Sequence, residues 1–368
     1  TTETVTELAT LSADGGTNDL TIVIRAADAT ASTAEQLNTI NAATALAVDL
    51  TNVTALAGST LSDLGTLATA ITNNEFSNDT GLTTIAVTDT TIDATTLAST
   101  IASYDTINGV GATTGMTLAS GATINVDASE ITGMLADETD GRLTIVDQVI
   151  TVTNPISVDT ANLLGATTTG KLTATIATSE TVTELATLSA DGGTNDLTIV
   201  IKGADATSST AAQLNTINAA TALAVDLTNV TALAGSSLAD LGTLASAITA
   251  NEFSNDTGLT TIAVTDTTID ATTLASTIDS YDTINGGGAK TGMTLASGAT
   301  INVDAGEITE MLADESAGRL TIDDQVITVT NPISVDNANL LGATTTGKLT
   351  ATIATTETVT ELATLSAD

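Results

Sequence analysis

The chain has 368 residues, and its 7 Lys and Arg against 44 Asp and Glu give a net charge of −37 at pH 7. It contains no Cys and no His, which excludes disulfide bonds, zinc and haem sites built on those residues, Ser-His-Asp triads and Cys nucleophiles. Seven basic residues cannot neutralise a nucleic-acid backbone, and no apolar run approaches the ~20 residues of a membrane-spanning helix.

A long internal repeat organises the sequence. The segment ETVTEL, which begins at Glu3, recurs twice, each time 177 residues further on, and the first two copies differ at only 18 of 177 aligned positions. A fixed long period is typical of an array, so we interpret the chain as a window of a longer one. The predicted copies are residues 1–178, residues 179–355 and the start of a third copy at 356–368.

A shorter strand–helix module recurs within each period. An alternating apolar strand is followed by a polar turn, a residue that caps a helix and a short Leu-spaced segment. In chain order, the apolar residues of strand and helix are Ile22 and Ile24 with Leu37 and Ile40; Leu46, Val48 and Leu50 with Leu61, Leu64 and Leu67; Ile85 and Val87 with Leu97 and Ile101; Ile124 and Val126 with Ile131, Met134 and Leu135; Ile150 and Val152 with Leu163 and Leu164; Leu172 and Ile176 with Leu185 and Leu188. Six modules per period average ~29 residues, a usual length for solenoid coils.

Capping residues open the Leu-spaced segments. In a capping box, a side-chain oxygen and a Glu or Gln three residues later each bind one of the helix-terminal amides. The predicted pairs are Thr33 with Gln36, Asp127 with Glu130 and Thr181 with Glu184. The other predicted caps are Thr60, Asp93 and Asp159.

The modules need each other to fold. One or two helical turns are unstable alone, and a single strand–helix module cannot bury its own apolar face. Stacked modules bury a continuous aliphatic core, so we predict a repeat solenoid: a parallel β-solenoid with short helical turns (a β/α solenoid), with about six coils per 177-residue repeat. An all-β right-handed β-helix is the alternative, in which the Leu-spaced segments are strands.

Two acidic stretches are candidate cation sites, since hard cations prefer carboxylate ligands. The candidate metal residues are Asp137, Glu138 and Asp140 in the first copy and Asp314 and Glu315 in the second. A solvated acidic loop is the favoured interpretation, and loosely bound surface Ca²⁺ or other divalent cations are the alternative. Residues 15–20 (GGTNDL) resemble part of a calcium-binding β-solenoid nonapeptide but lack its third glycine, so a turn is the favoured interpretation. No cofactor is required.

Catalysis is not expected. Acid pairs such as Glu130 with Asp137 are the residue types of a glycosidase. Nothing in the sequence supplies a cleft with aromatic sugar platforms, because aromatic residues are only 1% of the chain. We therefore predict no catalytic residues and a protein that is not an enzyme.

The total charge of each copy is more informative than any single acidic residue. Residues 2–178 and residues 179–355 each carry a net charge of −17. If six coils stack at the ~4.8 Å strand spacing, one copy advances ~29 Å and carries one charge per ~1.7 Å, close to duplex DNA. Such a rod should associate laterally only when salt or divalent cations screen it.

Three segments carry a resemblance to known proteins: residues 210–221 (TAAQLNTINAAT), 262–274 (IAVTDTTIDATTL) and 171–177 (KLTATIA). They are similar to repeats of giant Thr/Ala/Asp-rich cell-surface and extracellular proteins of marine cyanobacteria and related bacteria, of the swimming-associated or surface-layer type. The resemblance implies an extracellular or cell-surface location and an architectural role, with no catalytic residues.

The resulting prediction is a structural segment of a giant extracellular repeat protein. It forms a rigid acidic rod in a surface fibre, sheath or surface layer and associates with copies of itself and with divalent cations, without nucleic acid or a membrane span. The alternative is the stalk of a large adhesin whose binding domain lies outside this window.

Overall fold

The structure is a computed structural model that describes residues 2–12, 18–109, 113–189, 195–287 and 291–366. These residues form thirteen α-helices and many short parallel strands in several sheets, so the predicted class of mixed strands and helices is confirmed. The all-β alternative is wrong, because the Leu-spaced segments are helices. The chain divides into two compact units, Thr1–Thr175 and Ile176–Asp368.

The first unit contains six α-helices and ten strands among its described residues. The helices are α1 (Val5–Leu8), α2 (Ala34–Ala42), α3 (Leu61–Thr72), α4 (Ala94–Asn108), α5 (Ile131–Thr139) and α6 (Val158–Thr167). The strands are β1 (Val48–Asp49), β2 (Ala55–Ser59), β3 (Phe76–Ser77), β4 (Thr84–Val87), β5 (Thr91–Asp93), β6 (Gly115–Thr117), β7 (Thr123–Val126), β8 (Leu143–Thr144), β9 (Val149–Val152) and β10 (Leu172–Thr175).

Its strands pair in parallel with those of the neighbouring modules. One row runs β2-β4-β6-β8, a second runs β5-β7-β9-β10, and β1 pairs with β3. In the second row Ile124 lies opposite Ile150, and Val126 lies opposite Val152. Parallel pairing needs a crossover between strands, and here the crossovers between successive modules contain the helices.

The second unit repeats the order of elements of the first, with an additional strand between its first two helices and an additional helix at its end. Its helices are α7 (Val182–Leu185), α8 (Ala211–Ala219), α9 (Leu238–Thr249), α10 (Ala271–Ile284), α11 (Ile308–Ser316), α12 (Val335–Thr344) and α13 (Val359–Leu362). Its strands are β11 (Asp196–Thr198), β12 (Val225–Asp226), β13 (Ala232–Ser236), β14 (Phe253–Ser254), β15 (Thr261–Val264), β16 (Thr268–Asp270), β17 (Gly292–Thr294), β18 (Thr300–Val303), β19 (Leu320–Thr321), β20 (Val326–Val329) and β21 (Leu349–Thr350). The parallel rows are β13-β15-β17-β19 and β16-β18-β20-β21, and β12 pairs with β14.

The strands alternate as predicted. Ile85 and Val87 of β4 are 0% and 2% exposed, whereas Ala86 is half-buried and Thr88 is exposed. Aliphatic side chains from strands and helices together fill the interior, which is why the chain folds with almost no aromatic residues.

Two apolar residues of the predicted pattern do not face the interior. Leu46, which precedes β1, is 40% exposed, and Leu163 in α6 is 54% exposed. The neighbouring Leu164 is fully buried, so α6 presents only one of its two adjacent leucines to the core. Adjacent helical residues point about 100° apart, so Leu163 and Leu164 face different directions.

Most predicted caps are present. The capping boxes of Thr33 with Gln36 and of Thr181 with Glu184 are both complete. Thr60 and Asp93 also cap their helices through the side chain.

Two predicted caps are wrong. A turn separates Asp127 from α5, so Asp127 binds the Ser129 amide (2.9 Å) instead of a helical one. Helix α6 is capped by Ser157, and Asp159 lies in its first turn.

Side chains of one module bind the first helical amide of the module before it. We call these contacts amide bridges. In the first unit they run from the amide N–H of Val5 to Asp28 Oδ2 (2.9 Å), of Ala34 to Ser59 Oγ (2.9 Å) and of Leu61 to Asp89 Oδ2 (2.8 Å). In the second unit they run from Val182 to Asp205, from Ala211 to Ser236 and from Leu238 to Asp266. First-turn amides have no partner within their own helix, so in these three places of each copy a module completes the helix of the one before it.

The two tyrosines also join neighbouring helices. Tyr104 of α4 is fully buried, and its hydroxyl donates to the backbone carbonyl of Leu64 in α3 at 3.1 Å. Tyr281 makes the same bond to Leu241 at 3.1 Å. Burial raises the pKa of both phenols.

Candidate functional site

The predicted cation residues of the first copy lie at the C-terminal end of α5. Asp137 and Glu138 belong to the helix and are half-buried, and Asp140 is its exposed C-cap residue. Arg142 follows two residues later. Its side chain forms ion pairs with two of these carboxylates.

Arg142 gathers three carboxylates into what we call the first arginine cluster. Its Nη2 lies 3.0 Å from Asp140 Oδ2, its Nη1 lies 3.2 Å from Asp137 Oδ1, and its Nε lies 3.4 Å from Asp105 Oδ2. Asp105 belongs to α4, so the cluster joins two successive helices. Glu138 is not among the ion pairs of the described residues.

The second copy contains a corresponding second arginine cluster. Nη1 of Arg319 lies 3.1 Å from Asp282 Oδ2 and 3.4 Å from Asp279 Oδ1, and its Nη2 contacts Asp314 Oδ1. The Asp314 side chain is only 3% exposed. Glu315 is half-buried and takes no part in the ion pairs of the described residues.

One acidic partner of the arginine occupies a different position in the two copies, while the number of acidic partners stays at three. Asp140 of the first copy corresponds to Ala317, and Asp279 of the second copy corresponds to Ala102. Asp140 contacts the guanidinium of Arg142 from the end of α5, and Asp279 contacts the corresponding guanidinium of Arg319 from α10. Each cluster therefore keeps three acids around one arginine, with a net charge of −2.

The surroundings in the two clusters shift the pKa values of the carboxyl groups. Burial raises the pKa of Asp137, the Arg142 charge opposes this, and the Asp105 charge adds to it. Burial likewise raises the pKa of Asp314, with Arg319 opposing. The three carboxylates in turn raise the pKa of Arg319, chiefly through its hydrogen bond to Asp282. Each arginine thus offsets part of the repulsion and desolvation of its three neighbours.

Cation binding at the two acidic stretches stays a prediction. Among the described residues, no three acidic side chains are arranged as a metal site. In both clusters the guanidinium balances part of the carboxylate charge that a bound cation would otherwise balance. Of the Gly-rich stretch at 15–20, residues 15–17 lie outside the described residues.

The acid pair considered for glycosidase chemistry lies on one cleft between α4 and α5. Glu130 and Asp137 both line it, over a largely aliphatic floor without an aromatic side chain among its described residues. Glu130 Oε2 accepts the Asp127 amide N–H (2.8 Å), and its Oε1 accepts the Thr95 hydroxyl. Both oxygens of Glu130 are therefore held as acceptors beside the start of α5.

Sequence reasoning missed both arginines and three of their partners, Asp105, Asp279 and Asp282. Arg142 and Asp105 are 37 residues apart, and only the fold brings them together. A signal was nevertheless present, since the copies differ by losing one acid at Ala317 and gaining another at Asp279.

Comparisons with known proteins gave no match: no protein-family model fits the chain, and no curated protein sequence is significantly similar to it. In the part of the chain that the structure describes, no helix combines the length and the apolar character needed to span a bilayer.

Proposed function

We propose that this chain is a structural, non-enzymatic segment of a giant extracellular repeat protein. Its modules stack as coils of a β/α solenoid, about six per 177-residue repeat, and the resulting acidic rod belongs to a surface fibre, sheath or surface layer. The amide bridges are the observation that carries this proposal, because they recur in both copies between successive modules.

The amide bridges favour a one-dimensional array. Each bridge is made by a neighbour 23 to 28 residues further along the chain, so three modules of each copy depend on the next module for a helix-terminal hydrogen bond. Proteins in which each repeat contacts only its neighbours extend by adding repeats and need no closed, globular core. A mechanical or spacing role suits that architecture, and it requires no active site.

The charge favours a role governed by ionic conditions. Both copies keep a net charge of −17 although several acidic positions differ between them. A rod of this charge density repels its neighbours at low salt, and screening reduces the repulsion over a Debye length of about 10 Å at 0.1 M salt. We propose that divalent cations promote lateral contact between rods through the exposed carboxylates.

The test compares the 368-residue chain with a version in which a further copy of residues 179–355 is inserted after Thr355, which keeps the repeat in phase. In small-angle X-ray scattering at moderate salt, the maximum dimension should increase by ~29 Å for the added copy, with an unchanged cross-section. Growth in all directions would overturn the solenoid rod.

Sedimentation in rising CaCl₂ should then show lateral association, with NaCl of equal ionic strength as the control. Immunogold labelling of intact producing cells tests the extracellular location, and labelling found only after lysis would contradict it.

A further inference from the structure

The cleft between α4 and α5 in the first unit has a shape and charge that the structural role does not use. Its volume is about 400 Å³. The aliphatic floor includes Leu97 of α4, Met134 of α5 and Leu143 of β8. These side chains are at most 5% exposed, so the floor is fixed by the core beneath it.

Small residues keep the cleft open. Ala98 lines the α4 side, and Gly133 lines the α5 side. A Cβ added at Gly133 would meet no atom within 4 Å. The space beside this glycine is therefore available to a ligand.

Carboxylates mark the two ends of the cleft. Glu130 and Asp137 are seven residues apart along α5, so they lie on the same face about 10 Å apart along the helix axis. Glu130 is held by the Thr95 hydroxyl and the Asp127 amide, and Asp137 by Arg142. Gly133 and Met134 lie between them on this face. The cleft is thus negative at both ends and apolar in the middle.

The second copy provides a natural comparison. Its cleft is lined by the corresponding Leu274, Met311 and Leu320, but its volume is only about 200 Å³. Gly133 is replaced there by Glu310, which lines the cleft midway between its ends. One terminal acid, Asp314, is almost fully buried and bound to Arg319. This cleft offers less room and only one accessible end.

We propose that the first cleft binds a linear aliphatic diamine, with one ammonium group at Glu130, the other at Asp137 and the methylene chain on the floor between them. Each ammonium group forms a hydrogen bond of about 2.8 Å with its carboxylate, so the chain length of the ligand must match the separation of the two ends of the cleft. Each carboxylate oxygen has two lone pairs, so Glu130 and Asp137 can accept the ligand in addition to their present partners.

The cleft's own methionines report on binding. The chain has four Met residues. Met134 lines the first cleft, Met311 lines the second, and the fully buried Met116 and Met293 serve as internal references. The full chain, with isotope-labelled methionine methyl groups, is titrated with diamines of increasing length, with monoamines and with NaCl at equal ionic strength.

The Met134 signal should shift saturably, with the tightest binding at one intermediate chain length. A diamine should bind about fivefold more tightly than the monoamine of equal carbon number, the upper range for one partly exposed ion pair. Met311 should show no such length optimum. Glu130→Gln should weaken binding by about the same factor, and Gly133→Glu, which copies the second cleft, should remove the length preference. Unchanged Met116 and Met293 signals establish that each variant is folded.

Equal responses of Met134 to diamine, monoamine and NaCl would overturn the proposal, because they would reflect screening alone. An unmoved Met134 signal would overturn it as well. Neither result would affect the proposed structural role, which rests on the amide bridges.

Discussion

Three identical ten-residue segments experience different surroundings in this chain. Val5, Val182 and Val359 each begin the short helix of an identical sequence, ETVTELATLS. Val5 and Val182 are 3% exposed beneath the following module, whereas Val359 is 84% exposed. Replacing each valine with alanine therefore measures the effect of the covering module, with local sequence held constant.

The magnitude follows from burial. Val→Ala removes two methylene equivalents, worth about 0.8 kcal/mol each when buried, and the cavity left behind raises the loss at Val5 and Val182 to about 2 kcal/mol. At Val359 almost no apolar contact is lost, and alanine has the better helix propensity by up to about 0.7 kcal/mol. Val359→Ala should therefore be neutral or slightly stabilising.

Hydrogen exchange measured by mass spectrometry gives the local effect. Val182→Ala should speed exchange of residues 180–189 roughly 30-fold, since 1.4 kcal/mol corresponds to a factor of ten. Residues 357–366 should already exchange faster in the unsubstituted chain. Peptides that begin at Ser179 differ in mass from those that begin at Thr356, and peptides that begin before Thr355 separate the third segment from the identical first one. Equal responses to Val182→Ala and Val359→Ala would refute the argument that the following module stabilises this helix.

Three further outcomes are expected. A Cβ at Gly170 would overlap the backbone oxygens of Asp147 and Gln148, so Gly170→Ala should destabilise the fold by about 1–3 kcal/mol; Gly65→Ala, in open space on α3, should stabilise it by up to about 1 kcal/mol in urea unfolding. The Thr96 amide and hydroxyl lower the pKa of Asp93, so its stabilising effect is complete above about pH 4 and is lost as the pH falls through the lower folded value. Asp137 has a raised pKa, so the folded state is stabilised by its protonation as the pH falls. The free-energy difference between wild type and Asp93→Asn should therefore change in one direction as the pH falls, and that between wild type and Asp137→Asn in the opposite direction. The chain's two tyrosines are buried with raised pKa values, so tyrosinate absorbance should stay absent near pH 10 while the protein is folded, and a normal titration there would contradict their burial.

Features within one module were predictable from the sequence. The alternation around Ile85 and Val87 and the capping box of Thr33 with Gln36 depend on neighbours within four residues, and both are confirmed. The cap at Asp127 failed for a local reason too. A carboxylate can serve a turn as readily as a helix, and the spacing of Asp and Glu does not distinguish the two.

Features between modules were beyond local patterns. The amide bridge from Ala34 to Ser59 spans 25 residues, and successive helices do not start at a constant interval. Which side chain reaches which amide therefore depends on how each loop positions the next module. The ion pair of Arg142 with Asp105 depends in the same way on the packing of α4 against α5.

The relocated acid of the arginine clusters constrains how copies of this repeat can recombine. Unequal crossing-over between tandem copies exchanges everything beyond the breakpoint, and a breakpoint between the positions of Ala102 and Asp140 separates the two compensating changes. One product would join Ala102 to the counterpart of Ala317 and leave its arginine with two carboxylates; the reciprocal product would surround it with four. Crossovers outside that interval preserve three, so stable descendants of such an array should inherit these two positions together.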